Sequence, residues 1–211
     1  MPLKLDLLST AQQRGYSKHG EMLSAYHLAQ LIEECAPGIQ TSVSDDWVAL
    51  KQVIFESLFT DSIMVLVAYD CDASHFPSNK KGNSPHWGLL SGLVFTFEKA
   101  LQPKFQLKKS THKPLWYSKT DDTYLRAEQL RTQADVWKEK LKELADQEEW
   151  YVIGQQTKSK QPSVWHLQSL EESSKQMTVT PARCVEEEMV VPKDYPQTLA
   201  GKYIVIQRPL V

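Results

Sequence analysis

The spacing of apolar residues changes along the chain, from a three-to-four-residue rhythm at the start to continuous and alternating runs later. Leu3, Leu5, Leu7, Leu8 and Ala11 predict the tail of a helix that reaches about Gln13, with its natural start upstream. Arg14 to Gly20 reads as a turn. Ser24 is then placed to cap a helix carrying Tyr26, Leu28, Ala29, Leu31 and Ile32, which Pro37 and Gly38 close. Asp45 or Asp46 caps a further helix through Trp47, Leu50, Ile54, Leu58 and Phe59.

Beyond Ser62 the rhythm becomes that of strands. Ile63 to Tyr69 is an unbroken apolar run of the length and β-branched content expected of a buried strand, and it is assigned to the centre of a sheet. Asp70 to Pro85 is a polar loop, and Trp87 to Phe97 is a second strand in which Gly88 and Gly92 permit close approach. Between residues 102 and 149 an inserted amphipathic helix is predicted, with Tyr124, Leu125, Leu130, Trp137, Leu141 and Leu144 on one face. Trp150 to Ile153, Val164 to Leu167, Met189 to Val191 and Tyr203 to Gln207 supply further strands. A helix from Ser169 to Gln176 carries Glu171 and Glu172 in its first turn. Helices followed by a run of strands give an α+β fold with an antiparallel sheet, in one domain over residues 1–211.

Charge and cysteine usage narrow the function. With 24 basic and 26 acidic side chains, the chain has no net pull toward nucleic acid or an anionic membrane. No apolar run reaches the roughly 20 residues of a membrane span. Cys35, Cys71 and Cys184 are odd in number and far apart, which suits reduced thiols in the cytoplasm. No CxxC pair, glycine-rich phosphate loop or metal-ligand spacing among the histidines is present, and His19, His27, His75 and His112 read as surface residues.

One residue carries recognisable chemistry. His86, in Asn83-Ser84-Pro85-His86-Trp87-Gly88, sits where a loop becomes an apolar strand and titrates near neutral pH, so it is the candidate general base. Asp70 and Asp72 are the nearest carboxylates in sequence. Cys71 is the nearest thiol but lacks the helix N-terminus that would stabilise a thiolate, while Cys35 follows the anions Glu33 and Glu34.

Five segments taken in order resemble the actin maturation protease family: Arg14-Gly15-Tyr16, Gly20-Glu21-Met22, Ala68-Tyr69-Asp70-Cys71-Asp72, Gly82 through His86-Trp87, and Val164-Trp165 with Glu172-Ser173. That family is similar to papain-like bacteriocin-processing peptidases. The resemblance implies a cysteine aminopeptidase that removes an acetylated Cys or Asp from the N-terminus of immature actin, with no metal or cofactor and with actin as partner. His86 takes the place of the family's histidine. The family's nucleophilic cysteine and its oxyanion glutamine belong to a helix upstream of Arg14, so the expectation is that they lie outside this sequence. His166 stands where the family shows an aspartate, and is read as a half-buried sheet residue beside a core Trp165. The alternatives are an inactive pseudoprotease that binds actin or an N-terminal peptide, and a folded fragment with neither property.

Overall fold

The computed structural model describes residues 6–60, 62–94, 134–136, 138–139, 149–159 and 161–208. Most of the expected inserted helix lies outside these residues. Within them the elements run α1 (Leu7–Gln13), α2 (Ala25–Cys35), β1 (Gln40–Ser44), α3 (Trp47–Ser57), β2 (Ile63–Asp70) and β3 (Pro85–Val94). There follow β4 (Tyr151–Gln155), β5 (Ser163–His166), α4 (Leu167–Lys175), α5 (Ala182–Glu186) and β6 (Tyr203–Gln207).

The six strands form one sheet in the order β1-β6-β2-β3-β4-β5, and every neighbouring pair is antiparallel. The α+β reading with a central β2 therefore holds. Capping explains the helix starts. Asp6 accepts from Leu8 N at the head of α1, which places that start within the chain, Ser24 accepts from His27 N, and Asp46 accepts from Val48 N and Ala49 N.

Side chains alternate across β2 and divide the interior. Val65, Val67, Tyr69 and Cys71 face Trp47, Leu50 and Ile54 of α3, and Leu167 and Leu170 of α4. On β6, Ile204 and Ile206 pack against Ala25 and Ala29 of α2. The ring of Trp165, 2% exposed, reaches across β4 and β3 over two glycines. A Cβ on Gly154 would lie 2.1 Å from that ring and one on Gly88 2.9 Å from it, so neither position admits a side chain without displacing the indole.

Three expectations are corrected. β1 was not foreseen, because Gln40-Thr41-Ser42-Val43-Ser44 is a polar edge strand with one large apolar residue. Met189 to Val191 is not a strand: Cys184 O takes Met189 N at 2.8 Å and Glu21 Oε1 takes Val190 N at 2.8 Å, so these donors are unavailable to a ladder. The helix expected from Ser169 begins at Leu167, which moves Glu171 and Glu172 out of the first turn.

Gly154→Ala is expected to destabilise the fold by roughly 1–3 kcal/mol through overpacking against Trp165. A lowered urea midpoint with an unchanged slope checks it, and an unchanged midpoint contradicts this packing.

Candidate functional site

β2 ends in Asp70, whose side chain is fully buried. Its carboxylate accepts from Lys80 N (3.1 Å), Gly82 N (2.7 Å), Ser84 N (2.9 Å) and Gln176 Nε2 (2.8 Å). Those contacts turn the polar loop back, so that β3 starts at Pro85 and His86 pairs with Tyr69. Where β6 has run out beside β2, the Ser173 hydroxyl takes its place. It accepts from Asp70 N at 3.1 Å and donates to Asp70 O at 2.8 Å.

Opposite the start of β3 lies the segment before α2, and Glu21 holds it. The Glu21 carboxylate accepts from Lys18 N (2.8 Å), His19 N (2.7 Å), Val190 N (2.8 Å) and Ser17 Oγ (3.1 Å). Burial raises its pKa, but the backbone donors Val190, Lys18 and His19 outweigh that and hold it down at about 2. The next residue closes the gap to the sheet: Trp87 Nε1 donates to Met22 O at 2.9 Å.

Between these walls is a groove of about 510 Å³. It is lined by Gly20, Glu21 and Met22, by His86 and Trp87, and by Gln156, Lys158 and Arg183. His86 is half-buried, and burial, then the cations Lys158 and Arg183 and nearby His75, push its pKa down to about 4 against the opposing pull of Asp70. It is therefore a neutral imidazole at pH 7. Among the described residues it makes no hydrogen bond, and its ring nitrogens are not among the sealed, unpaired atoms, so they are not shut off from solvent.

Other nominated groups lie elsewhere. Asp72 Oδ1 accepts from Ser74 N and Phe76 N at 2.8 and 2.9 Å, and Asp70 is occupied as described, so both carboxylates organise the loop. Cys35, Cys71 and Cys184 are all buried free thiols and none lines the groove. His166 lines a separate, larger hollow of about 760 Å³ beside Lys51 and Glu171. That hollow is the more spacious of the two, but it lacks His86. His166 is half-buried next to a core Trp165, as the alternation of strand residues required.

His27 departs from a surface reading. It stacks on Tyr16 with ring centroids 4.1 Å apart, and burial lowers its pKa. His75 is half-buried with φ of 70°. His112 lies outside the described residues. Gln156, Lys158 and Arg183 escaped the sequence reading. The first two sit in what reads as a polar hairpin tip, and Arg183 lies on a short helix where none was expected.

Residues 3–94, which include Glu21, Asp70 and His86, match the family described as "Actin maturation protease-like, C-terminal domain". Over that stretch the chain resembles the actin maturation protease family. An actin maturation protease of Xenopus tropicalis is 35% identical over 92 residues, 42% of this chain and 30% of the relative. One of Danio rerio is 26% identical over 172 residues, 81% of this chain and 51% of the relative. One of Drosophila melanogaster is 30% identical over 118 residues, 54% and 43% respectively. The chain thus spans about half or less of the length of these relatives. No solved structure matches it significantly. No helix among the described residues is long and apolar enough to cross a membrane.

Two titrations check this geometry. Because the Glu21 pKa is depressed, its stabilising contribution is complete above the ordinary value of 4.5 and is lost as pH falls toward about 2. Urea midpoints of the native chain are expected to fall across that window more steeply than those of Glu21→Gln. The His86 ring resonance is expected to titrate near 4 and not near 6.5. A midpoint at or above 6.5 contradicts the burial of the ring.

Proposed function

We propose that this chain carries the general-base part of a papain-like cysteine aminopeptidase site acting on the N-terminus of actin. The observation that supports this is a neutral imidazole at the entrance of a central strand, without a hydrogen bond among the described residues, lining a groove together with Gly20, Glu21 and Met22. In this reading His86 takes the proton of a cysteine thiol as sulfur adds to the scissile carbonyl. The imidazolium then gives that proton to the departing amine, and a water releases the acyl group. Depression of the His86 pKa favours the proton-accepting form before attack. Lys158 and Arg183, which lower it, also favour negative charge on the attacked carbonyl oxygen.

The thiol in this reading is none of Cys35, Cys71 and Cys184, which are buried and do not line the groove. We assign the protein to the cytoplasm, where unpaired cysteines persist and actin is made.

The lack of a cysteine along the groove favours a second reading, in which the chain binds an actin N-terminal peptide without cutting it. Incubation with a synthetic acetylated actin N-terminal peptide, followed by mass spectrometry and fluorescence anisotropy, separates the two. Release of the acetylated terminal residue, lowered at least about a hundredfold by His86→Ala, supports the peptidase. Saturable binding without release supports the second reading. Neither release nor binding contradicts both.

A further inference from the structure

One cation of the groove is taken partly out of water with no counter-charge. Arg183, on α5, is half-buried and lines the groove together with His86. Its Nε is sealed from solvent without a hydrogen bond, and its side chain makes no hydrogen bond or ion pair among the described residues. The two terminal nitrogens are not among the sealed atoms, so solvent or a ligand reaches them. A guanidinium stays charged at physiological pH, and withdrawing it from water is costly unless an anion faces it.

No described residue supplies that anion. Two carboxylates share the lining. Glu21 is committed to Lys18 N, His19 N, Val190 N and Ser17 Oγ. Glu187, at the end of α5, is exposed and makes no ion pair with Arg183. Lys158, the other cation of the lining, is exposed, so water and salt screen it more than they screen Arg183. Both cations act on His86, which brings the guanidinium charge close to that ring. A ligand in the groove therefore meets a planar fork of N–H donors near a neutral imidazole, and a carboxylate matches that fork with two parallel hydrogen bonds. A phosphate dianion matches it less well, because its greater charge is repelled by Glu21 and Glu187.

We propose that Arg183 is the specificity-determining residue of the groove, its guanidinium pairing with a side-chain carboxylate of a bound peptide, so that the groove selects acidic peptides. The proposal rests on the reading of this groove as a peptide site, but it concerns binding and is tested without turnover. Lys158 has a different part. An exposed ammonium on a flexible stem is a point charge, so it attracts an acidic peptide without fixing where its carboxylate sits.

The experiment is fluorescence anisotropy of the full chain with two short labelled peptides. Both are acetylated at the N-terminus and amidated at the C-terminus, and one carries aspartates where the other carries asparagines. The aspartate peptide is expected to bind at least about tenfold tighter, as a charge-assisted pair requires. Equal binding of the two, or binding of neither, overturns the proposal. Arg183→Gln is expected to abolish the difference and to leave the asparagine peptide little changed. Arg183→Lys is expected to restore only part of it, because an ammonium lacks the fork. Lys158→Gln is expected to keep most of it. A preference that survives Arg183→Gln in a variant with a cooperative melt overturns the proposal. Should Arg183→Gln fail to fold, Arg183→Lys decides, since an undiminished preference there overturns it. A phosphoserine peptide that binds tighter than the aspartate peptide overturns the assignment to a carboxylate. A preference that depends on Arg183, with no release of an acetylated residue, supports this inference and counts only against the peptidase reading. Release with equal binding of the two peptides does the reverse.

Discussion

The buried carboxylate of Asp70 is the constraint on which the site depends. A polar loop leaving a central strand has backbone N–H groups that must find partners once they are taken from water. Asp70 supplies acceptors for three of them and for the Gln176 amide, from a position that is itself fully buried. Strand pairing, loop path and the entry angle of β3 follow from one side chain. His86 inherits its position from that arrangement through the pairing of its backbone with Tyr69, and its ring makes no hydrogen bond among the described residues.

A second carboxylate does similar work across the groove. Glu21 gathers backbone donors from two segments far apart in sequence, and the neighbouring Met22 carbonyl receives the Trp87 indole. Of these two carboxylates Glu21 lines the groove, while Asp70 shapes the loop that leads into Pro85 and His86; both are occupied by internal donors. Lys158 and Arg183 are left to act on whatever occupies it, and together with burial they keep His86 unprotonated at neutral pH. Such an imidazole is prepared to take a proton, and an incoming thiolate would raise its affinity for one.

How much of this was legible in the sequence depends on the physical source of each signal. The helices at Ala25 and Trp47 and the strand at Ile63 announce themselves through capping residues and apolar period. The segments around Gly20-Glu21-Met22 and Pro85-His86-Trp87 carried the family resemblance, and the structure shows why they matter together: a hydrogen bond joins them. β1 was hidden because an edge strand needs few apolar residues, and Met189 to Val191 misled because an apolar triplet says nothing about where its N–H groups go. Gln156 was invisible for a related reason. A glutamine in a Gln-Thr-Lys-Ser stretch has the composition of a solvated turn, and only the crossing of β3 and β4 buries it.

The sheet order has a consequence for the history of each molecule. β6, residues 203–207, lies between β1 and β2 and pairs with both, so among the described residues these two early strands are joined only by a strand made after β3, β4 and β5. During vectorial synthesis the stretch that matches the family, residues 3–94, emerges with one long side of β2 unpaired. It remains so until residues 203–207 have been made. Domains generally fold as units during synthesis, and an apolar strand left waiting is a point of misassembly. This architecture therefore makes late closure by a distant strand, more than local helix formation, the step at which a nascent chain would gain most from a chaperone.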